Sequence, residues 1–170
     1  MNPNKSVVLV GPMGVGKTTI GKKLAKKLEL PFVDSDAVIT KRFGSPTEIF
    51  EKHGEAHFRN LEVQVINEAL LQTCVLATGG GAVTNEEVRA AIKTQNVIYL
   101  KTNGRHMEDR LSKGNRPLLK NGFEDWKRIY EERKPIFKSV ADYEIDTSNT
   151  GLKNIILEIC QLLEEHHDRN

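Results

Sequence analysis

Gly11-Pro12-Met13-Gly14-Val15-Gly16-Lys17-Thr18 follows the apolar run Val7-Val8-Leu9-Val10 and opens a helical pattern with Leu24, Ala25 and Leu28 at its apolar positions. A strand, a glycine-rich turn ending in Gly-Lys-Thr and a helix make a phosphate-binding P-loop. The glycines let backbone N–H groups crowd around phosphate, Lys17 reaches the β/γ oxygens, and the Thr18 hydroxyl is suited to Mg²⁺. The flanking strand and helix, more than the motif alone, separate this reading from an ordinary glycine turn. The chain is therefore expected to use a nucleotide, held by Gly14, Val15, Gly16, Lys17, Thr18 and Thr19.

Outward from this loop, short apolar runs alternate with longer helical patterns, as in a parallel sheet covered by helices on both faces. The strands fall at 7–10, 31–34, 74–77, 97–100 and 143–146, which predicts an α/β fold with five parallel strands in one domain over 1–170. Ser45-Pro46-Thr47-Glu48 is a capping box with proline at the first helical position, and Gly54 is expected to break the block that follows. The helices between about 35 and 72 form an excursion suited to a substrate pocket. Thr84 and Glu87 repeat the capping-box spacing before another helix. Between about 111 and 123 the pattern lapses into Ser112-Lys113-Gly114-Asn115-Arg116-Pro117-Leu118-Leu119, read as a mobile lid. The last helix, near 152–165, carries Ile155, Ile156, Ile159, Leu162 and Leu163 on one face.

A formal net charge of +2 and few, scattered aromatics argue against a nucleic-acid binder. Lys22, Lys23, Lys26 and Lys27 read as the solvated face of the first helix. No run approaches the roughly 20 apolar residues that span a bilayer, and the early first strand leaves no room for an export signal, so a cytoplasmic location is expected. Cys74 and Cys160 lie in apolar runs without metal spacing and read as core thiols, and His166 and His167 as a helix end.

Asp34-Ser35-Asp36 stands at the carboxyl end of the second strand, where open α/β sheets bind ligands. Its two acids can divide between metal water shell and substrate hydroxyl, or Ser35 or Asp36 can simply cap the next helix. Arg59 and Glu62, three apart on a helix, are either a surface ion pair or a carboxylate orienting a guanidinium toward a substrate carboxylate. Gly79-Gly80-Gly81 after the third strand permits close ligand approach. Arg116, in the lid, is placed to swing onto the transferring phosphate.

In this order these elements resemble the shikimate kinase family of small P-loop enzymes related in fold to nucleoside monophosphate kinases. The match runs from Val7 to about Asp146 through the P-loop, Asp34–Asp36, Phe58–Glu62, Gly79–Gly81, Arg116-Pro117-Leu118-Leu119 and the segment from Arg133 to Asp142. The resemblance implies transfer of the ATP γ-phosphoryl group to the 3-hydroxyl of shikimate, with one Mg²⁺, in a cytoplasmic and monomeric enzyme. It implies catalytic roles for Lys17, Asp36 and Arg116, a water-mediated metal contact from Asp34, and Arg110 against adenine. Arg59, Arg133, Gly80 and Gly81 would clamp the acceptor carboxylate, Phe50 and Phe58 would line its ring, and Glu62 would orient Arg59. Phe137 departs from the family's tyrosine, and the lid is about one residue shorter than in some members.

A gluconate or nucleoside monophosphate kinase shares the loop and sheet, but a monophosphate acceptor calls for a cluster of arginines around a dianion. A nucleotide-binding protein without turnover would be expected to lack a phosphate, metal or carboxylate ligand.

Overall fold

The computed structural model describes residues 5–105, 107–111 and 119–167. Five strands, β1 (Val7–Val10), β2 (Phe32–Asp34), β3 (Val75–Ala77), β4 (Asn96–Lys101) and β5 (Tyr143–Asp146), form one sheet in the order β2-β3-β1-β4-β5. Every neighbouring pair is parallel. The helices are α1 (Lys17–Leu28), α2 (Ser35–Phe43), α3 (Pro46–Ala69), α4 (Glu86–Ile92), α5 (Met107–Leu111), α6 (Phe123–Val140) and α7 (Leu152–His167).

The buried central strand explains the layering. Val8 and Val10 of β1 join one core with β4, α4 and α6, whereas Val7 and Leu9 join another with α1 and α7. Strand side chains alternate faces, so four consecutive apolar residues suit a strand covered on both sides. All four are fully buried, and each such side chain contributes about 1.5–3 kcal/mol relative to exposure. A third, smaller core under the excursion gathers Ile39, Ile49, Phe58, Leu61 and Val65.

The predicted break and cap in the excursion both occur. Ser45 Oγ accepts from the Glu48 amide at 3.3 Å while Glu48 Oε2 accepts from the Ser45 amide at 2.8 Å. Gly54, at φ 82° and ψ 169°, kinks α3 in a conformation that residues with a Cβ rarely adopt.

Two cap assignments are corrected. Asp34, neither Ser35 nor Asp36, caps α2 by accepting from the Ala37 amide at 3.1 Å, which leaves Ser35 buried with its hydroxyl accepting from the Gly79 amide at 3.1 Å. Asn85, not Thr84, caps α4. Thr84 ends a one-turn 3₁₀ helix (Ala82–Thr84) and donates to the Gly81 carbonyl, so a short turn took the serine-threonine signal. Cys74 and Cys160 are buried free thiols, and Lys22, Lys23, Lys26 and Lys27 are exposed.

Candidate active site

The carboxyl ends of β1, β2 and β3 deliver the P-loop, Asp34–Asp36 and Gly79–Gly81 to one edge of the sheet. From β1 the chain crosses to β2 on one side of the sheet, whereas from the neighbouring β4 it goes on to β5 on the other, and such a reversal is where an open parallel sheet forms a crevice. A cleft of about 690 Å³ opens there, lined by Gly14, Gly16, Lys17, Thr18, Asp34 and Asp36 among others. Thr40, Lys41 and Thr78 also line it and were not singled out from sequence.

On the P-loop side the polar groups are held by one another. Lys17 is buried, and its Nζ donates to the carbonyls of Gly11 at 2.7 Å and Pro12 at 2.8 Å. The Thr18 hydroxyl donates to Asp34 Oδ2 at 2.6 Å, so a hydroxyl and a carboxylate stand together beside the loop. Those are the hard oxygen donors that suit Mg²⁺, and among the described residues no group of three or more His, Cys, Asp or Glu forms a protein cage for a metal. A second cleft of about 450 Å³ shares Gly14, Gly16 and Thr19 and is closed by Thr147, Thr150 and Leu152. No sequence signal marked that segment, since only sheet order brings the end of β5 beside the P-loop.

On the acceptor side, charged groups from three remote segments converge on the triple glycine. Arg59 Nη1 meets Glu62 Oε2 at 2.5 Å, and its Nη2 meets Glu55 Oε1 at 3.0 Å. Arg133 Nη1 donates to the Gly80 carbonyl at 3.1 Å. A Cβ on Gly79 would lie 2.7 Å from Asp36 Oδ1 and collide with Glu62 Oε1, and one on Gly81 would lie 2.6 Å from Arg59 Nη1. A side chain at Gly79 or Gly81 would displace the carboxylate and guanidinium tips from the site, whereas one at Gly80 would meet the Met13 backbone nitrogen at 3.0 Å. Of the alternatives for Arg59 and Glu62, the surface ion pair is ruled out, because Glu62 is only 1% exposed.

Burial sets the electrostatics. Removal from water pushes the Glu62 carboxyl up to about 7, against the opposing pull of Arg59 and with a further push from Asp36. Its Oε1 is buried without a hydrogen-bond partner among the described residues. Burial and the neighbouring Arg59 charge lower the Arg133 guanidinium, while Arg59 is raised because Glu62 and Glu55 outweigh its own desolvation. Arg59 thus has two carboxylate partners, whereas the half-buried Arg133 forms no ion pair with the described residues.

Phe58 is buried, and half-buried Phe50 packs against it at a ring separation of 5.2 Å. The Arg59 guanidinium lies 5.6 Å from the Phe58 ring centre. Phe137 is fully buried and stacks on Tyr99 at 5.2 Å, so the residue that departs from the family pattern fills the core behind Arg133 without a polar group. Arg110 belongs to α5, but its side chain lies outside the described residues, as do Arg116 and the rest of 112–118.

This arrangement defines a P-loop kinase of small molecules. The sequence model of the shikimate kinase family matches residues 13–164. A shikimate kinase of Francisella tularensis subsp. holarctica is 42% identical over 170 residues, covering 95% of this chain and 96% of that protein. One from Enterococcus faecalis is 40% identical over 167 residues, covering 95% and 99%. The crystallised shikimate kinase of Acinetobacter baumannii in complex with shikimate superposes with a TM-score of 0.89 at 38% identity, covering 95% of this chain and 94% of that one. The chain belongs to the shikimate kinase family, kinases that transfer a phosphoryl group from ATP to shikimate.

Proposed function

We propose that this chain carries the γ-phosphoryl group of ATP to the 3-hydroxyl of shikimate with the residues gathered around the 690 Å³ cleft. The observation that carries the acceptor assignment is Arg133, a half-buried cation that donates to a carbonyl and forms no ion pair with the described residues, the nearby Glu55, Glu62 and Glu132 acting on it only at longer range. A desolvated guanidinium beside a second one favours an anion, and a carboxylate fits its fork in bidentate geometry.

Lys17 leaves the Gly11 and Pro12 carbonyls for the β/γ oxygens, and the amides of Gly14, Val15, Gly16, Thr18 and Thr19 wrap the phosphates. The second cleft takes the adenosine end, with Arg110 against the base. Thr18 and, through water, Asp34 would hold one Mg²⁺, which when bound neutralises phosphate charge. Asp36 accepts from the acceptor hydroxyls and orients the attacking one. In a loose transition state that orientation contributes more than early proton removal. Arg59 and Arg133 clamp the acceptor carboxylate with the amides of Gly80 and Gly81, Glu62 fixes Arg59, and Phe50 with Phe58 backs the ring. Arg116 closes over the phosphates from a lid at about 111–123. The enzyme acts as a monomer of one domain in the cytoplasm; among the described residues no helix is long and apolar enough to cross a membrane.

The test is Mg²⁺-dependent ADP release with shikimate, quinate or gluconate as acceptor. Stimulation by shikimate alone is expected. Nucleotide binding with no stimulation by any acceptor would overturn the assignment of Asp36, Arg59 and Arg133.

A further inference from the structure

Trp126 lies in the first turn of α6 and is only 3% exposed. It is stacked on Phe123 at 5.6 Å and packed against Tyr130 at 5.0 Å. A buried indole N–H needs an acceptor, and this one reaches outside its helix to the backbone carbonyl of Met13 in the P-loop at 2.9 Å, 113 residues away in sequence. Met13 in turn touches the acceptor side: a Cβ on Gly80 would lie 2.8 Å from Met13 Cγ and 3.0 Å from its amide nitrogen. The Gly80 carbonyl holds Arg133, which stands seven residues after Trp126, two turns along the same face of α6.

Met13, Gly80, Arg133, α6 and Trp126 therefore form a closed ring. The void inside it, lined also by Pro12, Ile129, Tyr130 and Phe137, is about 10 Å³, at the lower limit for a single water, so its members are closely packed. We infer that Trp126 is a positioning residue that ties Arg133 to the P-loop through Met13 and so couples nucleotide occupancy to acceptor affinity. The inference rests on the P-loop as the nucleotide site and Arg133 as an acceptor clamp. Coupling of this kind is reciprocal, so each ligand should tighten the other by one common factor.

The experiment is calorimetric titration of shikimate into the full chain with and without saturating Mg²⁺ and ADP, and of ADP with and without shikimate, for wild type and Trp126→Phe. Phenylalanine keeps an aromatic ring against Phe123 and Tyr130 and removes the donor. Single-ligand affinities within about twofold of wild type, with the coupling factor reduced about fivefold, are expected for the loss of one neutral hydrogen bond. An unchanged coupling factor, or a wild-type factor of one, would overturn the inference. Failure of wild type to bind shikimate under either condition would overturn the acceptor assignment instead, and the inference with it. Should the variant not fold, Trp126 is the only tryptophan in the chain and reports directly. Its emission should shift with ADP alone and with shikimate alone, and emission insensitive to either ligand would refute the ring.

Discussion

The two halves of the site are built on different principles. The phosphate cradle of the nucleotide half occupies one continuous stretch, 11–19, with its lysine and threonine bonded to loop carbonyls and Asp34. The acceptor half collects Asp36, Arg59 and Glu62, the triple glycine and Arg133 from separate segments, and leaves one buried carboxylate oxygen without a hydrogen bond and one cation without an ion pair among the described residues. A backbone cradle can be specified locally because its donors are main-chain groups. A clamp of charged side chains needs the whole fold to position it, and the burial that sharpens its electrostatics also makes it costly to disturb.

The largest expected effect breaks the nucleotide half. Lys17→Ala removes the charge that must follow the phosphates into the transition state, and turnover should fall by about 10³-fold or more. Circular dichroism should stay unchanged, since the lysine Nζ is bonded to the loop carbonyls of Gly11 and Pro12, which stay in place without it. Near-wild-type turnover would mean that the loop does not carry the reacting phosphates.

Next comes Glu62, where the acceptor half should respond to pH. Its folded-state pKa of about 7 is raised above the ordinary 4.5, so the native state holds a proton that the unfolded chain has released. Stability from this group is full below about pH 4.5 and is lost as pH rises through about 7. Glu62→Gln cannot titrate, so the variant should gain on wild type by about 3 kcal/mol between those limits. Urea unfolding at pH 5 and pH 8 measures the gap. A difference that does not change with pH would show that burial leaves the Glu62 carboxyl at its ordinary pKa.

Arg133→Ala sharpens the contrast between the halves. With Arg59 still present, kcat/KM for shikimate should fall by about 10- to 150-fold, equivalent to about 1.5–3 kcal/mol for hydrogen bonds to a charged group, while the KM for ATP moves little. Equal changes for both substrates would mean that the arginine supports the fold rather than the acceptor.

The same division explains what could be read from sequence. All five strands and the Ser45 cap were legible because periodicity and capping are properties of a few neighbouring residues. The P-loop was legible for the same reason. The choice between a surface pair and an orienting pair for Arg59 and Glu62 was not, because spacing on a helix does not reveal burial, and Glu62 is buried where α3 meets Gly79 after the third strand. Trp126 and the segment from Thr147 to Leu152 carried no signal, since each meets the P-loop only through the sheet order. Thr84 misled because its residue type suits a 3₁₀ turn as well as a helix cap.

The smallest expected effect asks whether the acceptor half depends on its helix or only on its charges. Ser45 begins α3, and its hydroxyl and amide are both tied to Glu48. Ser45→Ala removes the side-chain acceptor for the Glu48 amide, and loss of a cap of this kind costs about 1 kcal/mol. Gly54 lies between this cap and Arg59 and already interrupts the helix, so fraying at Ser45 should stop at the kink. Unfolding should therefore shift by that amount while the KM for shikimate stays within about twofold. A larger rise in KM would mean that the kink transmits the disturbance and that Arg59 is positioned from the start of α3. No change in KM would place its support beyond the kink, in Glu55 and Glu62.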